Sequence, residues 1–148
     1  MKRNISSELR LGNLVLVSGR TEEISYIGET ECGSINKPCK LSMRHFKYDD
    51  VSPIPINKEI LTQLGFKPLP HFTVMDSLVL DLGRNRSLSI GCVGNPNEMV
   101  FLKEIDVDGR TINDLVCLRN FDYDGYTHVH DIQNIYSSIT GKQLKYEA

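Results

Sequence analysis

The chain has 148 residues, of which 40% are hydrophobic and 24% charged, and its formal net charge at pH 7 is −2. These values are ordinary for a globular protein with a sizeable core. No stretch approaches 18 consecutive apolar residues and residues 1–12 contain no apolar signal region, so the sequence predicts neither a membrane span nor a secretory signal, and the cytoplasm is the default compartment.

The charge is unevenly distributed. Residues 1–48 hold eight Lys or Arg against five Glu, a net of +3, whereas residues 49–148 hold nine against fourteen acidic residues, a net of −5. A nucleic-acid-binding face is usually densely basic, and four glutamates interrupt the basic half. The asymmetry alone therefore does not establish a nucleic-acid-binding protein.

The first third of the chain is predicted to be a small β module. Between residues 11 and 56, short apolar runs alternate with turn residues at intervals of ~10 residues, which is typical of a small sheet or barrel. The run Leu11–Val17, followed by Gly19, resembles the first hairpin of SH3-like barrels. Many unrelated β modules share that feature, so a closed barrel remains one interpretation.

A short central helix is predicted next. Pro53 and Pro55 enforce extended backbone and end the module. Asn57 is a suitable N-cap for a helix over residues 58–64, and Gly65 can end it. Phe66 is expected to attach that end to the core.

The second half is predicted to be an antiparallel meander. Apolar and polar residues alternate over 78–82 and again over 87–92, and residues 83–86 provide a hairpin loop between them. Further strands are expected over 99–105 and 115–121, with Asp-Gly turns near 108 and 124.

A C-terminal helix closes the sequence. Its apolar residues recur at three-and-four spacing, Thr127 is a suitable N-cap, and Gly141 can end it. The expected buried stripe consists of Val129, Ile132, Ile135, Tyr136 and Ile139.

The predicted fold is therefore α+β: β-rich, with antiparallel strands, an SH3-like N-terminal barrel as one interpretation, a short central helix, and a C-terminal amphipathic helix packed on the sheet. We expect one compact domain over 1–148, and the alternative is a subdivision into 1–56 and 57–148.

Three segments carry a resemblance. They are Leu9-Arg10-Leu11-Gly12-Asn13, Pro53-Ile54-Pro55-Ile56 with the following Glu59-Ile60-Leu61 and Gly65-Phe66, and Val129-His130 with Gln133-Asn134-Ile135-Tyr136 and Ile139-Thr140-Gly141. Together they resemble a group of small uncharacterised proteins of gut anaerobic bacteria and their phages or mobile elements. The resemblance implies a shared architecture and no activity or site residue.

His128 and His130 are the weak candidates for a functional site. Imidazole binds metals and exchanges protons near neutrality, and Asp131 is adjacent. However, residues two apart point about 200° away from each other on a regular helix, unless the first precedes the helix. A packed or capping histidine is the favoured interpretation, and no catalytic, metal or cofactor residue is assigned.

Polar and thiol groups add little chemistry. The side-chain amides of Gln133 and Asn134 could contact a base edge, but binding of a neighbouring loop is favoured. The cysteines are too scattered for a zinc hook and are interpreted as free thiols. These residues are Cys32, Cys39, Cys92 and Cys117.

Six basic residues form the best candidate surface for polyanions, because phosphate contacts need cations and neighbouring aromatic rings can add stacking. They are Lys37, Lys40, Arg44, Lys47, Arg84 and Arg86, with His45, Phe46 and Tyr48 nearby in sequence.

The leading hypothesis is a non-enzymatic accessory or protein-interaction module of mobile-element origin. The alternative is a nucleic-acid-binding accessory factor that uses the basic N-terminal β module. An enzyme or metal site at His128 and His130 ranks last, no cofactor is expected, and the partner protein and oligomeric state stay open.

Overall fold

The computed structural model describes residues 5–35, 42–68, 78–91, 99–105, 111–119 and 127–145. In these segments the chain is an α+β protein with three antiparallel sheets and two α-helices, which confirms the predicted class. The strands are β1 (Leu14–Val17), β2 (Arg20–Glu23), β3 (Tyr26–Ile27), β4 (Glu31–Ile35), β5 (Met43–Lys47), β6 (Val51–Ser52), β7 (Lys67–Pro68), β8 (Leu78–Gly83), β9 (Arg86–Gly91), β10 (Met99–Ile105) and β11 (Thr111–Arg119), and the helices are α1 (Lys58–Gln63) and α2 (Val129–Thr140).

The chain divides into two compact units. The first contains residues 1–54 and 128–134, and the second contains residues 55–127 and 135–148. The first unit therefore includes the beginning of α2, which lies far along the chain from the rest of that unit.

Two three-stranded sheets make up the first unit. One has the order β2-β1-β6 and the other β3-β4-β5, with antiparallel pairing throughout. Two residues, Ile24 and Ser25, separate β2 from β3, and Ile24 exchanges backbone hydrogen bonds with Gly12 and Asn13. Over the described residues the two sheets stay separate and do not close into a barrel.

The core of the first unit follows from strand alternation. Val15 and Val17 of β1 face inward, while Leu14 and Leu16 are only partly covered, as the two-residue period of a strand requires. A short 3₁₀ turn over Ile5–Ser7 adds one buried residue, Ile5, and Leu9 shortly after it adds another. The buried apolar residues are Ile5, Leu9, Val15, Val17, Ile24, Cys32 and Val51, with Phe46 and Tyr48 packed against them.

Helix α1 confirms the central-helix prediction. The side chain of Asn57 accepts a hydrogen bond of 2.8 Å from the backbone N–H of Ile60, which caps the helix. Gly65 follows the helix with a φ of 97°, the left-handed conformation that glycine adopts most easily. Leu61 and Phe66 are buried, so one face of α1 and its end belong to the core of the second unit.

The predicted meander is confirmed as a five-stranded sheet of order β11-β10-β9-β8-β7. Arg84 and Asn85 join β8 to β9 with φ values of 55° and 60°, which is the positive-φ pair of a type I′ turn. The last strand starts at Thr111 instead of the predicted residue 115, because polar Asn113 and Asp114 still pair with β10. The Asp-Gly turns predicted near 108 and 124 lie outside the described residues.

Strand β9 departs from the expected alternation. Leu88 and Ile90 are fully buried, but Ser87 and Ser89 on the opposite face are also at most 2% exposed. The predicted strand is confirmed, but both of its faces are buried. A strand covered on both faces can carry serine, whose small side chain fits a confined space, so serine at alternate positions did not indicate exposure.

Helix α2 is buried most deeply in its first turns. Val129, His130, Ile132 and Gln133 are buried, whereas Ile135 and Tyr136 are partly covered and Ile139 is 37% exposed. The predicted stripe is therefore correct at its N-terminal end and wrong at Ile139. Among the described helices, none combines the length and apolarity needed to cross a bilayer.

Candidate functional site

At the N-terminal end of α2, the Asp131 side chain bonds the residue that precedes the helix. The carbonyl of His128 accepts hydrogen bonds from the backbone N–H groups of Asp131 and Ile132, at 3.1 and 3.4 Å. In return, the backbone N–H of His128 donates to Oδ2 of Asp131 at 2.8 Å. His128 is thus the N-cap, one residue later than the predicted Thr127. Asp131 is the third helical residue, and a carboxylate at this position commonly bonds the N–H of the N-cap.

This cap brings the two candidate histidines together. Because His128 precedes the first helical residue, the rotation of about 200° expected on a regular helix does not apply. The two imidazole rings lie nearly parallel, with centroids 6.0 Å apart and an interplanar angle of 15°. Nδ1 of His128 is 3.6 Å from Oδ2 of Asp131, so both histidines share this one carboxylate as a neighbour.

His130 also meets a residue from the other end of the sequence. Its Nε2 lies 3.0 Å from Oε2 of Glu8 and 3.6 Å from Oδ1 of Asp131. The His130 side chain is fully buried, and the side chains of Glu8 and Asp131 keep exposures of 22% and 11%. One imidazole and two carboxylates therefore converge, with donor atoms within 4.8 Å of one another.

Sequence reasoning singled out His130 and missed Glu8. Glu8 lies 122 residues earlier in the chain, and nothing in its local sequence indicates that it faces a histidine. The position of Glu8 is nevertheless well defined, because Ile5 and Leu9 on either side of it are buried in the core.

Gln133 and Asn134 bind the N-terminal segment, which confirms the favoured interpretation of these amides. Gln133 accepts a hydrogen bond from the N–H of Leu14 at 2.9 Å and donates to the carbonyl of Gly12 at 3.1 Å. Asn134 donates to the carbonyl of Glu8 at 2.8 Å and accepts from the side-chain amide of Asn13 at 2.9 Å. These amides therefore fasten residues 8–14 to α2.

A second candidate surface is the outer face of the β3-β4-β5 sheet. Strand pairing places Ile35 directly opposite Met43, and Gly33 between Tyr26 and His45. The rings of Tyr26 and His45 meet edge to face across Gly33, with centroids 5.7 Å apart. The outer face consists of Tyr26, Glu31, Gly33, Ile35, Met43, His45 and Lys47.

The predicted basic surface is only partly within the described structure. Arg44 and Lys47 share β5 but pair with Ser34 and Glu31, so they lie on opposite faces of the sheet. Arg44 forms an ion pair of 2.6 Å with the largely buried Glu22. Arg84 and Arg86 belong to the β8–β9 hairpin of the second unit, and Lys37 and Lys40 lie outside the described residues.

Cys32 is a buried free thiol on the inner face of β4. Burial raises the pKa of this thiol, and the neighbouring Glu31 carboxylate raises it further. Because the thiolate is the nucleophile, a raised pKa disfavours the reactive form of Cys32. The free-thiol prediction is thus confirmed for Cys32; Cys39 and Cys92 lie outside the described residues, as does the side chain of Cys117.

Comparison of the chain with protein-family models, curated proteins and solved structures finds no match. The functional interpretation therefore depends on the cluster of Glu8, His130 and Asp131 and on the outer face of the β3-β4-β5 sheet.

Proposed function

We propose that the protein is a non-enzymatic interaction module that binds an extended, partly acidic segment of a partner protein along strand β5. The observation that carries this proposal is that β5 lies at the edge of its sheet, where it pairs only with β4 among the described strands. An edge strand offers backbone N–H and C=O groups that an added strand can bond.

Exposure supports the same surface. Four of the five residues of β5 are exposed, and only Phe46 is partly covered. Of the six large hydrophobic side chains exposed in the described structure, four belong to this sheet. Exposed apolar side chains concentrated on one sheet are typical of a surface that binds a partner. Tyr26, Ile35 and Met43 lie on the outer face, whereas the fourth residue, Ile27, lies opposite Cys32 on the other face.

Charge determines the chemistry of the partner. His45 lies 3.1 Å from Glu31, which belongs to the same sheet. Arg44 forms an ion pair with Glu22 of the β2-β1-β6 sheet, so each of these two residues already has an acidic partner. Lys47 is exposed on the outer face and forms no ion pair with any residue that the structure describes. A partner strand with apolar residues over Ile35 and Met43 and a carboxylate opposite Lys47 complements this surface.

The nucleic-acid hypothesis has less support. Over residues 1–54, eight basic residues stand against seven acidic ones, a net of only +1. A surface that binds phosphates usually has a clear excess of basic residues. The eight basic residues are Lys2, Arg3, Arg10, Arg20, Lys37, Lys40, Arg44 and Lys47, and the seven acidic ones are Glu8, Glu22, Glu23, Glu29, Glu31, Asp49 and Asp50.

The proposal includes an SH3-like architecture for residues 14–52. A small barrel needs its first strand to pair with its last and one strand to continue into both sheets. The pairing of β1 with β6 and the short interval between β2 and β3 both support this architecture. We further propose a cytoplasmic setting and a mobile-element origin, which the resemblance of residues 9–13, 53–66 and 129–141 supports.

The experiment is a peptide-display selection against the whole chain, followed by NMR mapping of the selected peptides. We expect extended peptides with alternating apolar residues and one acidic residue, and we expect the amide shifts of Met43–Lys47 to change first. Peptides that map to another surface, or no binder at all, would refute the proposal.

Variants that introduce or reverse a charge sharpen the test. Met43→Asp and Lys47→Glu should each weaken peptide binding about tenfold or more, since each removes a contact or introduces a repulsion. Leu11→Asp is the matched control, because Leu11 is 64% exposed and lies outside this sheet. If instead a labelled oligonucleotide binds with a steep salt dependence that Lys47→Glu removes, the nucleic-acid hypothesis replaces ours.

A further inference from the structure

We propose that Glu8, His130 and Asp131 form a binding site for a first-row divalent metal ion, for which Zn²⁺ is the test ion. The site is independent of the β5 surface and would fix the N-terminal segment to α2. It differs from the sequence hypothesis, which considered His128 and His130 and did not include Glu8.

The geometry suits metal coordination. Four-coordinate zinc with ligands at about 2.0–2.1 Å has ligand atoms roughly 3.3 Å apart. Nε2 of His130 lies 3.0 Å from Oε2 of Glu8 and 3.6 Å from Oδ1 of Asp131, which brackets that spacing. All three donor atoms lie within 4.8 Å of one another, so they face one common position.

The donor set selects the class of metal. A neutral imidazole favours zinc and its first-row neighbours over calcium and magnesium, and two carboxylates disfavour soft copper(I). Two carboxylates also balance the charge of a divalent ion. Three protein ligands leave a fourth position for water.

The two carboxylate residues of the site are each held by a further hydrogen bond. Oδ2 of Asp131 binds the N–H of His128, which turns Oδ1 toward His130. The backbone carbonyl of Glu8 accepts a hydrogen bond from Asn134, which fixes the main chain at Glu8. Outer contacts of this kind orient ligands in metal sites.

Access is from the side of Glu8. His130 is fully buried, but the Glu8 side chain retains 22% exposure and can admit an ion by rotating. Deprotonated carboxylates and a neutral imidazole are needed, so binding should weaken as the pH falls below neutrality.

The first experiment is thermal unfolding of the whole metal-free chain with and without ZnCl₂. A stoichiometric site should raise Tm by about 5–10 °C when free Zn²⁺ is a hundredfold above Kd, and EDTA should reverse the rise. Absence of a rise at millimolar Zn²⁺ would overturn the proposal.

Variants identify the ligands. Glu8→Gln and Asp131→Asn are expected to lose most of the Zn²⁺-dependent rise, whereas His45→Ala, which changes the exposed His45–Glu31 pair, should keep it. Glu8→Gln retains a hydrogen-bond acceptor for His130 and the backbone contact to Asn134, so the metal-free variant should still fold. A Zn²⁺ response that survives both ligand variants would refute this site.

X-ray absorption at the zinc edge distinguishes this site from cysteine binding. We expect nitrogen and oxygen neighbours at about 2.0 Å and no sulfur at about 2.3 Å. A sulfur shell would assign the bound zinc to cysteine residues and reject the proposal.

Discussion

The side-chain amide of Gln133 accepts a hydrogen bond of 2.9 Å from the backbone N–H of Leu14, a residue 119 positions earlier in the chain. The same amide donates to the carbonyl of Gly12, so one glutamine satisfies a donor and an acceptor of the segment that leads into β1. Gln133 is only 4% exposed, and water cannot easily replace it. Within the first unit, this amide is therefore a principal attachment of the first turns of α2 to residues 12–14.

Gln133→Ala should lower the free energy of unfolding by about 2–3 kcal/mol, because it leaves two backbone groups of the N-terminal segment without their partner. Urea unfolding followed by circular dichroism measures the change. Gln143→Ala is the matched control, since Gln143 is exposed, and it should change stability by less than about 0.5 kcal/mol. Equal effects of the two substitutions would contradict the structural role of Gln133.

Asn57→Ala should destabilise α1 by about 1 kcal/mol, because the N–H of Ile60 loses the side-chain oxygen that caps the helix. Hydrogen exchange measured by NMR should show faster exchange of the Ile60 amide. Asn57→Asp keeps an acceptor at the same position and is expected to retain the slow exchange. Unchanged exchange in the alanine variant would mean that the cap does not stabilise the helix.

Different substitutions at Asn85, in the β8–β9 turn, should have different effects on thermal stability. Its φ of 60° is accessible to glycine and asparagine but costs a β-branched residue about 1–2 kcal/mol. Asn85→Val should therefore lower Tm, while Asn85→Gly should leave it nearly unchanged. A neutral valine variant would show that the turn does not adopt the type I′ conformation.

Cys32 should resist alkylation in the folded protein. Burial, and then Glu31, raises the pKa of the thiol, so folding favours the protonated form. The contribution of the Cys32 thiol to stability is fully present at pH values below the pKa of the unfolded thiol. It is lost as the pH rises through the higher pKa of the folded thiol.

At pH 8, the peptide containing Cys32 should react with iodoacetamide about tenfold or more slowly than in urea, as peptide-resolved mass spectrometry can measure. Glu31→Gln removes the smaller cause and should change the rate less than unfolding does. Rapid labelling of the folded chain would indicate that Cys32 is not enclosed.

Local patterns predicted the local elements. Asn57 and Gly65 marked both ends of α1, and residues 83–86 marked the β8–β9 hairpin, because caps and turns depend on residues within a few positions of one another. The alternation of apolar and polar residues in β9 indicated a strand but did not reveal that both of its faces are buried, since serine is as compatible with a confined interior as with solvent.

Contacts between distant residues could not be predicted in the same way. The sequence drew attention to His130, but the approach of Glu8 depends on how the N-terminal segment packs through Ile5 and Leu9. The exposure of Ile139 likewise depends on which elements reach the last turn of α2, and helical periodicity does not contain that information.

The division of the first unit between residues 1–54 and 128–134 has a consequence for synthesis on the ribosome. Its strands emerge early, but the polypeptide that supplies Gln133 and Asn134 is translated some seventy residues later, as the two residue ranges imply. Until then the carbonyl of Gly12 and the N–H of Leu14 have no amide from α2, so the nascent module stays incomplete. Native assembly of this unit must wait until residues 128–134 have been translated, which makes late maturation an inherent property of this topology.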